Sequence, residues 1–235
     1  MKASDDPRVV RGLQAQLAKR RERIAAGERP LGWKVGLGAP ALMEKLGFKV
    51  PAVGYLMQRG LLLSGATVSF AGWTKPAAEC EIAVRMARDL PGGANADSAR
   101  AAVKEILPAI ELADFDPPPT PDNVEQVIAN DIYTRHVILA GVTRPGASVD
   151  GITSRLIRRG EEAATTQNPE ALTGKLLDIV ALVANTLAAN GEKLAMGDII
   201  ITGSITPPIL LERDETMLGH TLDPIGTVGV QFAWD

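Results

Sequence analysis

Apolar positions recur along this chain with two periods: near two over short stretches and near 3.6 over a few longer ones. The pattern predicts many strands and a small number of helices. Val9, Val10, Leu13, Leu17 and Ile24 predict a helix over Pro7 to Ala26, stopped by Gly27 and Pro30. Leu176, Ile179, Val180, Val183 and Leu187 form the apolar stripe of a second long helix, Lys175 to Ala189. Shorter helices are expected over Pro40 to Leu46, over Ser98 to Ile106, and from a cap at Asp122 through Ile128. Strands are expected over Leu31 to Leu37, Val53 to Leu56, Ala66 to Phe70, Ala78 to Val84, Pro108 to Ala113, Ile152 to Arg159, Ile199 to Ser204 and Thr227 to Ala233, with Val137 to Ala140 as a further apolar run. The order is not a regular βα alternation, which argues for an α+β fold with a rolled or sandwiched sheet.

Three carboxylates interrupt this pattern. In Ala78-Glu79-Cys80-Glu81-Ile82-Ala83-Val84, a strand turns Ala78, Cys80, Ile82 and Val84 to one face and Glu79 and Glu81 to the other. The two glutamates then stand roughly 7 Å apart. Glu111 lies between Ile110 and Leu112 on the next strand, and glutamate is depleted in strands and rarely buried without a partner. The pattern alone leaves two readings open: the solvated face of an antiparallel strand, or an oxygen-ligand site for a hard divalent cation. Lys34, set between Trp33 and Val35, either extends its head to water or points into a site. His136, at the end of the polar run Asn130 to His136, is either a structural histidine or a candidate for the chemistry.

Composition removes several function classes. The chain has 235 residues and a formal net charge of −3 with the signs mixed throughout, so nothing marks a nucleic-acid surface. Cys80 is the only cysteine, which excludes an intramolecular disulfide and fits a cytoplasmic protein. The charged N-terminus has no apolar core of a signal peptide, and no apolar run reaches membrane-spanning length. Dinucleotide, phosphate-loop and nucleophile-elbow motifs are missing, and the two histidines, His136 and His220, are too few for histidine-rich zinc catalysis. Oxygen-ligated metal with a lysine is the chemistry left.

Taken together, Gly32-Trp33-Lys34-Val35-Gly36-Leu37, Leu46-Gly47 with Pro51 and Gly54, Pro76 through Glu79-x-Glu81-Ile82-Ala83, Ala109-Ile110-Glu111, and Gly197 through Ser204 occur in a familiar order and spacing. The chain resembles the fumarylacetoacetate hydrolase superfamily, in its 2-keto-4-pentenoate hydratase and 4-oxalocrotonate decarboxylase branch, over nearly its whole length. The resemblance implies a mixed β-roll with flanking helices. On that basis residues 1–30 are expected as an N-terminal helical arm and residues 31–235 as a single catalytic β-roll domain. It also implies Mg²⁺ or Mn²⁺ bound by Glu79, Glu81 and Glu111, with Lys34 beside the substrate; Lys34 and His136 are the candidate catalytic residues. The implied substrate is a small 2-oxo or 2-hydroxydienoic acid of meta-cleavage aromatic catabolism. The implied activity is a metal-dependent lyase, a hydratase working through a metal-stabilised enolate, in a homo-oligomer of two or more subunits. A 2-oxo-acid decarboxylase, an acylpyruvate-type C–C hydrolase and a catalytically weakened binding subunit are the alternatives on the same scaffold.

Three departures from the family pattern stand out. Pro51-Ala52-Val53-Gly54 has Ala52 where hydratases carry an Asp. Ala77 replaces an Arg usual before the Glu-x-Glu pair. Asn130-Asp131-Ile132-Tyr133-Thr134 matches the family's Asp-Asn-x-Ser-Ser segment only loosely. His136, Arg135 or Asp131 is the candidate to compensate; a different substrate is the alternative.

Overall fold

A computed structural model describes residues 2–234. The elements follow in chain order: α1 (Pro7–Ala25), β1 (Pro30–Gly36), α2 (Pro40–Leu46), β2 (Ala52–Met57), β3 (Leu61–Leu63), β4 (Thr67–Ser69), β5 (Pro76–Met86), α3 (Ala96–Ala102), β6 (Val103–Asp114), α4 (Val124–Ala129) and β7 (Thr134–Leu139). The second half adds β8 (Arg144–Pro145), β9 (Thr153–Arg158), β10 (Glu161–Thr166), α5 (Leu176–Ala189), β11 (Ile199–Ser204), β12 (Ile209–Leu210), β13 (Met217–Asp223) and β14 (Gly226–Ala233).

The strands form two sheets. The larger runs β2-β1-β11-β5-β6-β7-β3, with β12 paired to β5 and β8 to β6; the smaller runs β10-β9-β13-β14-β4. The larger sheet curls until its two edge strands, β2 and β3, are joined through the single 3₁₀ turn Gln58–Gly60. This is the mixed β-roll with flanking helices.

One face of the curled sheet feeds two cores. Ile82, Val84 and Met86 of β5 pack with Val9, Leu13 and Leu17 of α1 and with the apolar stripe of α5. Ala78 and Cys80, earlier on the same face, pack instead with Ile110, Leu112, Leu218, Val228 and Val230 beneath the smaller sheet. The opposite, concave face carries a third cluster of Leu31, Leu56, Leu107, Val137, Ile199 and Ile201, which fills one end of the roll. A sheet curled this tightly fills its interior with side chains, as a small barrel does. The other end of the roll is where β5 begins and β6 ends, and there the polar site lies.

Helix α1, within the expected N-terminal arm, packs into the main core. Val9, Leu13 and Leu17 are buried in the main core, and the α1 side chain Gln16 donates to the Ile128 carbonyl of α4 at 2.8 Å. The core therefore runs without a break across residue 30. Close approach fixes Gly32 on β1: a Cβ there would stand 1.9 Å from the Ile199 carbonyl oxygen of β11, and its φ of +154° suits glycine alone. Helix α3 ends at Ala102, four residues short of the expected Ile106, because Val103 pairs with Met86 and starts β6. Helix α4 begins after Asn123, not at Asp122; the Asn123 side chain turns back to accept from Thr120 N–H at 2.8 Å.

Candidate metal centre

Glu79 and Glu111 face each other directly across the β5–β6 ladder, and Glu81 follows on the same concave face. Oxygens of all three lie within 4.8 Å of one another. Like charges directly opposed across a ladder destabilise it. The protein meets this in three ways. Burial, reinforced by Glu111, pushes Glu79 up to about 7. Burial and the charges of Glu111 and Glu79 push Glu81 well above the usual carboxylate range. The third response is Lys34: it is 1% exposed, it comes from β1 on the far side of the roll, and its ammonium forms an ion pair with Glu111 Oε1. Burial alone would lower the lysine's pKa, but the carboxylates of Glu111 and Glu79 outweigh it and hold the ammonium above its ordinary value.

Each of the two fully buried carboxylates has one oxygen committed to the protein and one left over. Glu81 Oε2 accepts the Gly203 N–H at 2.6 Å, while its Oε1 is buried without a hydrogen-bond partner. Glu111 Oε1 takes Lys34 and lies 2.8 Å from Thr134 Oγ1, while its Oε2 is likewise unpartnered. An unsatisfied buried carboxylate oxygen is costly. Two of them converging beside Glu79 is a donor set that fits a hard divalent cation, for which oxygen ligands are the natural ones.

The structure brings Lys34, Glu79, Glu81 and Glu111 together. It does not bring His136 to them. Leu112 is the cross-strand partner of His136, and both lie on the face opposite Glu111. The imidazole stacks on Trp73 with ring centroids 6.1 Å apart, and burial lowers its pKa. Ala52 is fully buried in the main core, and no acid stands in its place on β2. Three groups that sequence reasoning did not single out border the site. Thr134 touches Glu111. Ser204 pairs with Glu81 across β11–β5, and its hydroxyl is buried and unpartnered. The Gly203 N–H anchors Glu81. The signal in the sequence for Gly203 and Ser204 was the small polar ending of the apolar strand Ile199 to Ser204, and for Thr134 the polar segment Asn130 to Thr134. Asp131 and Thr134 also line a cavity of about 300 Å³, walled by Tyr55, Trp73, Arg135 and His136.

No family model matches the chain. Among curated proteins, the 2-hydroxyhexa-2,4-dienoate hydratase of Comamonas testosteroni is 27% identical over 217 residues, covering 90% of this chain and 81% of that protein. The 2-hydroxypent-2,4-dienoate hydratase of Pseudomonas putida is 30% identical over 173 residues, covering 72% of this chain and 78% of that protein. The chain belongs to the hydratase–decarboxylase branch of the fumarylacetoacetate hydrolase superfamily. Solved structures of the superfamily agree. The 4-oxalocrotonate decarboxylase from Pseudomonas putida G7, complexed with magnesium and adipate, superimposes with a TM-score of 0.83 at 25% identity, over 93% of this chain and 83% of that one. The fumarylpyruvate hydrolase from Pseudomonas aeruginosa shares the fold, with a TM-score of 0.68 at 14% identity over 88% of this chain and 90% of that one. Superfamily membership accounts for the curled sheet with helices on its outer face.

Proposed function

We propose that this protein is a metal-dependent lyase, a hydratase that adds water to a small 2-hydroxydienoic acid, with Glu79, Glu81 and Glu111 holding Mg²⁺ or Mn²⁺. The observation that carries the reading is the pair of buried, unpartnered oxygens, Glu81 Oε1 and Glu111 Oε2, converging with Glu79 beside a buried ammonium. The relatives named as dienoate hydratases support the substrate class, and the magnesium-complexed decarboxylase supports the choice of ion.

A divalent ion bound there would supply Lewis-acid charge to the carboxylate and 2-oxo oxygen of such an acid. The chain's own residues do the rest. Lys34 Nζ carries three protons. One goes to Glu111 Oε1 and one to the Ile132 carbonyl at 3.1 Å, which leaves the third free to face a substrate. A fixed ammonium in a buried site stabilises negative charge developing on a 2-oxo oxygen and can return a proton to carbon. Glu111 orients that ammonium, and Thr134 and Gly203 fix the carboxylates that flank it. Decarboxylation needs the same charge stabilisation and no activated water. The absence of an acid at Ala52 is the observation that favours it as a second reading.

Turnover of 2-hydroxypenta-2,4-dienoate tests the proposal, followed by loss of absorbance with Mg²⁺ or Mn²⁺ and then with chelator, and with the product identified by mass. Metal-dependent gain of one water is the expected result. Carbon dioxide release from a 2-oxo dicarboxylic acid, without hydration of the dienoate, would give the second reading its place. Turnover unaffected by chelator would refute the metal role.

We further propose a cytoplasmic homo-oligomer. The lone, buried Cys80 fits a reducing compartment. Leu63 at 74% exposure, with Met196 and Leu210, provides apolar surface for a subunit contact. Sedimentation of the protein as a single monomer would overturn the oligomer.

A further inference from the structure

Asp131, Ile132 and Tyr133 are three consecutive non-glycine residues in the left-handed region, with φ of 62°, 50° and 67°. Isolated residues of this kind are uncommon, and a β-branched isoleucine there is an outlier. Each is strained and persists only where its surroundings over-determine it. The contacts made by the segment show what holds it. Asp131 Oδ1 accepts the Tyr55 N–H of β2 at 2.8 Å. The Ile132 carbonyl accepts from Lys34 Nζ at 3.1 Å. The Tyr133 carbonyl accepts the Asp114 N–H at 3.1 Å, and its hydroxyl donates to the Pro117 carbonyl at 2.6 Å. Thr134, the next residue, touches Glu111 Oε1. Both members of the buried ion pair are therefore contacted from this one turn.

The same turn shapes the passage through which the lysine reaches Glu111. Lys34 lies opposite Gly54 on the β1–β2 ladder. A Cβ on Gly54 would stand 2.8 Å from Lys34 Cγ and 2.9 Å from Asp131 Oδ1. The lysine stem and the Asp131 carboxyl thus meet over the one position on β2 that has no side chain. Asp131 also ties the backbone of the neighbouring Tyr55 to the strained turn, and so fixes that strand beside the lysine.

We propose that Asp131 is a positioning residue for Lys34: through Tyr55 N–H and the notch at Gly54 it holds the ammonium against Glu111. The inference goes beyond the hydratase reading and rests on that reading only where turnover is measured.

The test uses the full-length protein with ¹⁵N-labelled lysine and reads the ammonium resonance of Lys34, assigned by its loss in Lys34→Met. Mn²⁺ affinity is measured alongside, with kcat and KM on the dienoate. Asp131→Ala removes the acceptor, Asp131→Asn keeps it, and Gly54→Ala drives a methyl group into the shared wall. Asp131→Ala and Gly54→Ala should shift or broaden the Lys34 resonance and lower kcat at least about tenfold, with KM and Mn²⁺ affinity within about twofold. Asp131→Asn should restore the resonance and bring kcat within about threefold of the unsubstituted protein. An unmoved Lys34 resonance in Asp131→Ala would overturn the proposal, as would Asp131→Asn behaving like Asp131→Ala. If Asp131→Ala does not fold, Asp131→Asn and Gly54→Ala decide on the same readouts. If the unsubstituted protein does not turn over the dienoate, the hydratase reading fails and the spectroscopic comparison still decides this one.

Discussion

Removing the metal should make this protein less stable as the pH rises through neutrality, the reverse of the usual carboxylate behaviour. Glu79 is raised from 4.5 to about 7. Glu81 is raised well above 4.5. Burial takes Asp131 from 3.8 to about 8. A carboxyl with a raised folded-state pKa holds a proton that the unfolded chain has already released, so its contribution to stability is lost as pH climbs through the folded value. His220 acts in the opposite direction, since burial lowers it from 6.5 to about 4, and burial lowers His136 too; both effects fade above pH 6.5 as the unfolded chain releases those protons. The carboxyl effect therefore dominates from pH 6.5 to 7.5. There Asp131 holds most of a proton and Glu79 about half of one, and Glu81 adds in the same direction. The first two alone come to roughly 1.4 protons, or roughly 2 kcal/mol of stability lost per pH unit. A loss of that size is a large share of a typical folding free energy. Ligation requires Glu79 and Glu81 to be ionised, so the loaded protein should keep only the Asp131 slope, about 1.4 kcal/mol per unit. Urea unfolding at pH 6.5, 7.0 and 7.5, in chelator and in saturating Mg²⁺, measures both slopes. Calorimetry at pH 7 in buffers of different ionisation heat should show protons released on metal binding, about half of one from Glu79 and a further contribution from Glu81. Equal slopes with and without metal, and no proton release, would refute the reasoning.

Three further outcomes are expected. Glu111→Gln should weaken Mn²⁺ binding at least about a hundredfold, and it should cost roughly 3–5 kcal/mol of stability by leaving Lys34 buried without its counter-charge; unchanged Mn²⁺ affinity by titration would remove Glu111 from the ligand set. His136→Ala should leave kcat within about twofold, because the imidazole stacks on Trp73 on the face away from the carboxylates, and a tenfold fall would return it to the chemistry. Cys80, buried at 0% exposure with its thiol pushed far up by burial, should resist a thiol reagent in the native protein and react only on unfolding; labelling under native conditions would contradict the burial.

Elements with a strong period were legible in the sequence. The Glu79/Glu81 face followed from alternation alone, and the α5 stripe from its 3.6 spacing. What stayed hidden was decided by partners distant in sequence. Val103 to Ile106 has helical composition, but it is drawn into β6 by Met86, Arg85 and Val84 across the ladder. The polar strand β10 has little apolar alternation to betray it, with its Glu161, Glu162 and Thr165 exposed. The turn of His136 away from the three carboxylates has a single cause. Leu112 pairs with His136, yet Ala113 pairs with Thr134, so a bulge at Arg135 breaks the alternation. Thr134 then touches Glu111 while His136, two residues on, faces away. The sequence offered Asp131 only as one of three candidates to compensate for Ala52; its place beside Lys34 came into view with the left-handed turn, which no local pattern of apolar residues encodes.

The pairing of Glu79 with Glu111 has a consequence for assembly of the fold itself. A strand slipped by one residue exposes its other face throughout. If β6 slid by one position along β5, Glu111 would swing under the smaller sheet with Ile110 and Leu112 now lining the roll, and the three carboxylates could no longer converge. Only the correctly aligned hairpin can chelate. The ion is therefore a gauge of alignment as well as a reagent: by binding the true register and no neighbouring one, it would deepen that minimum against its nearest competitors.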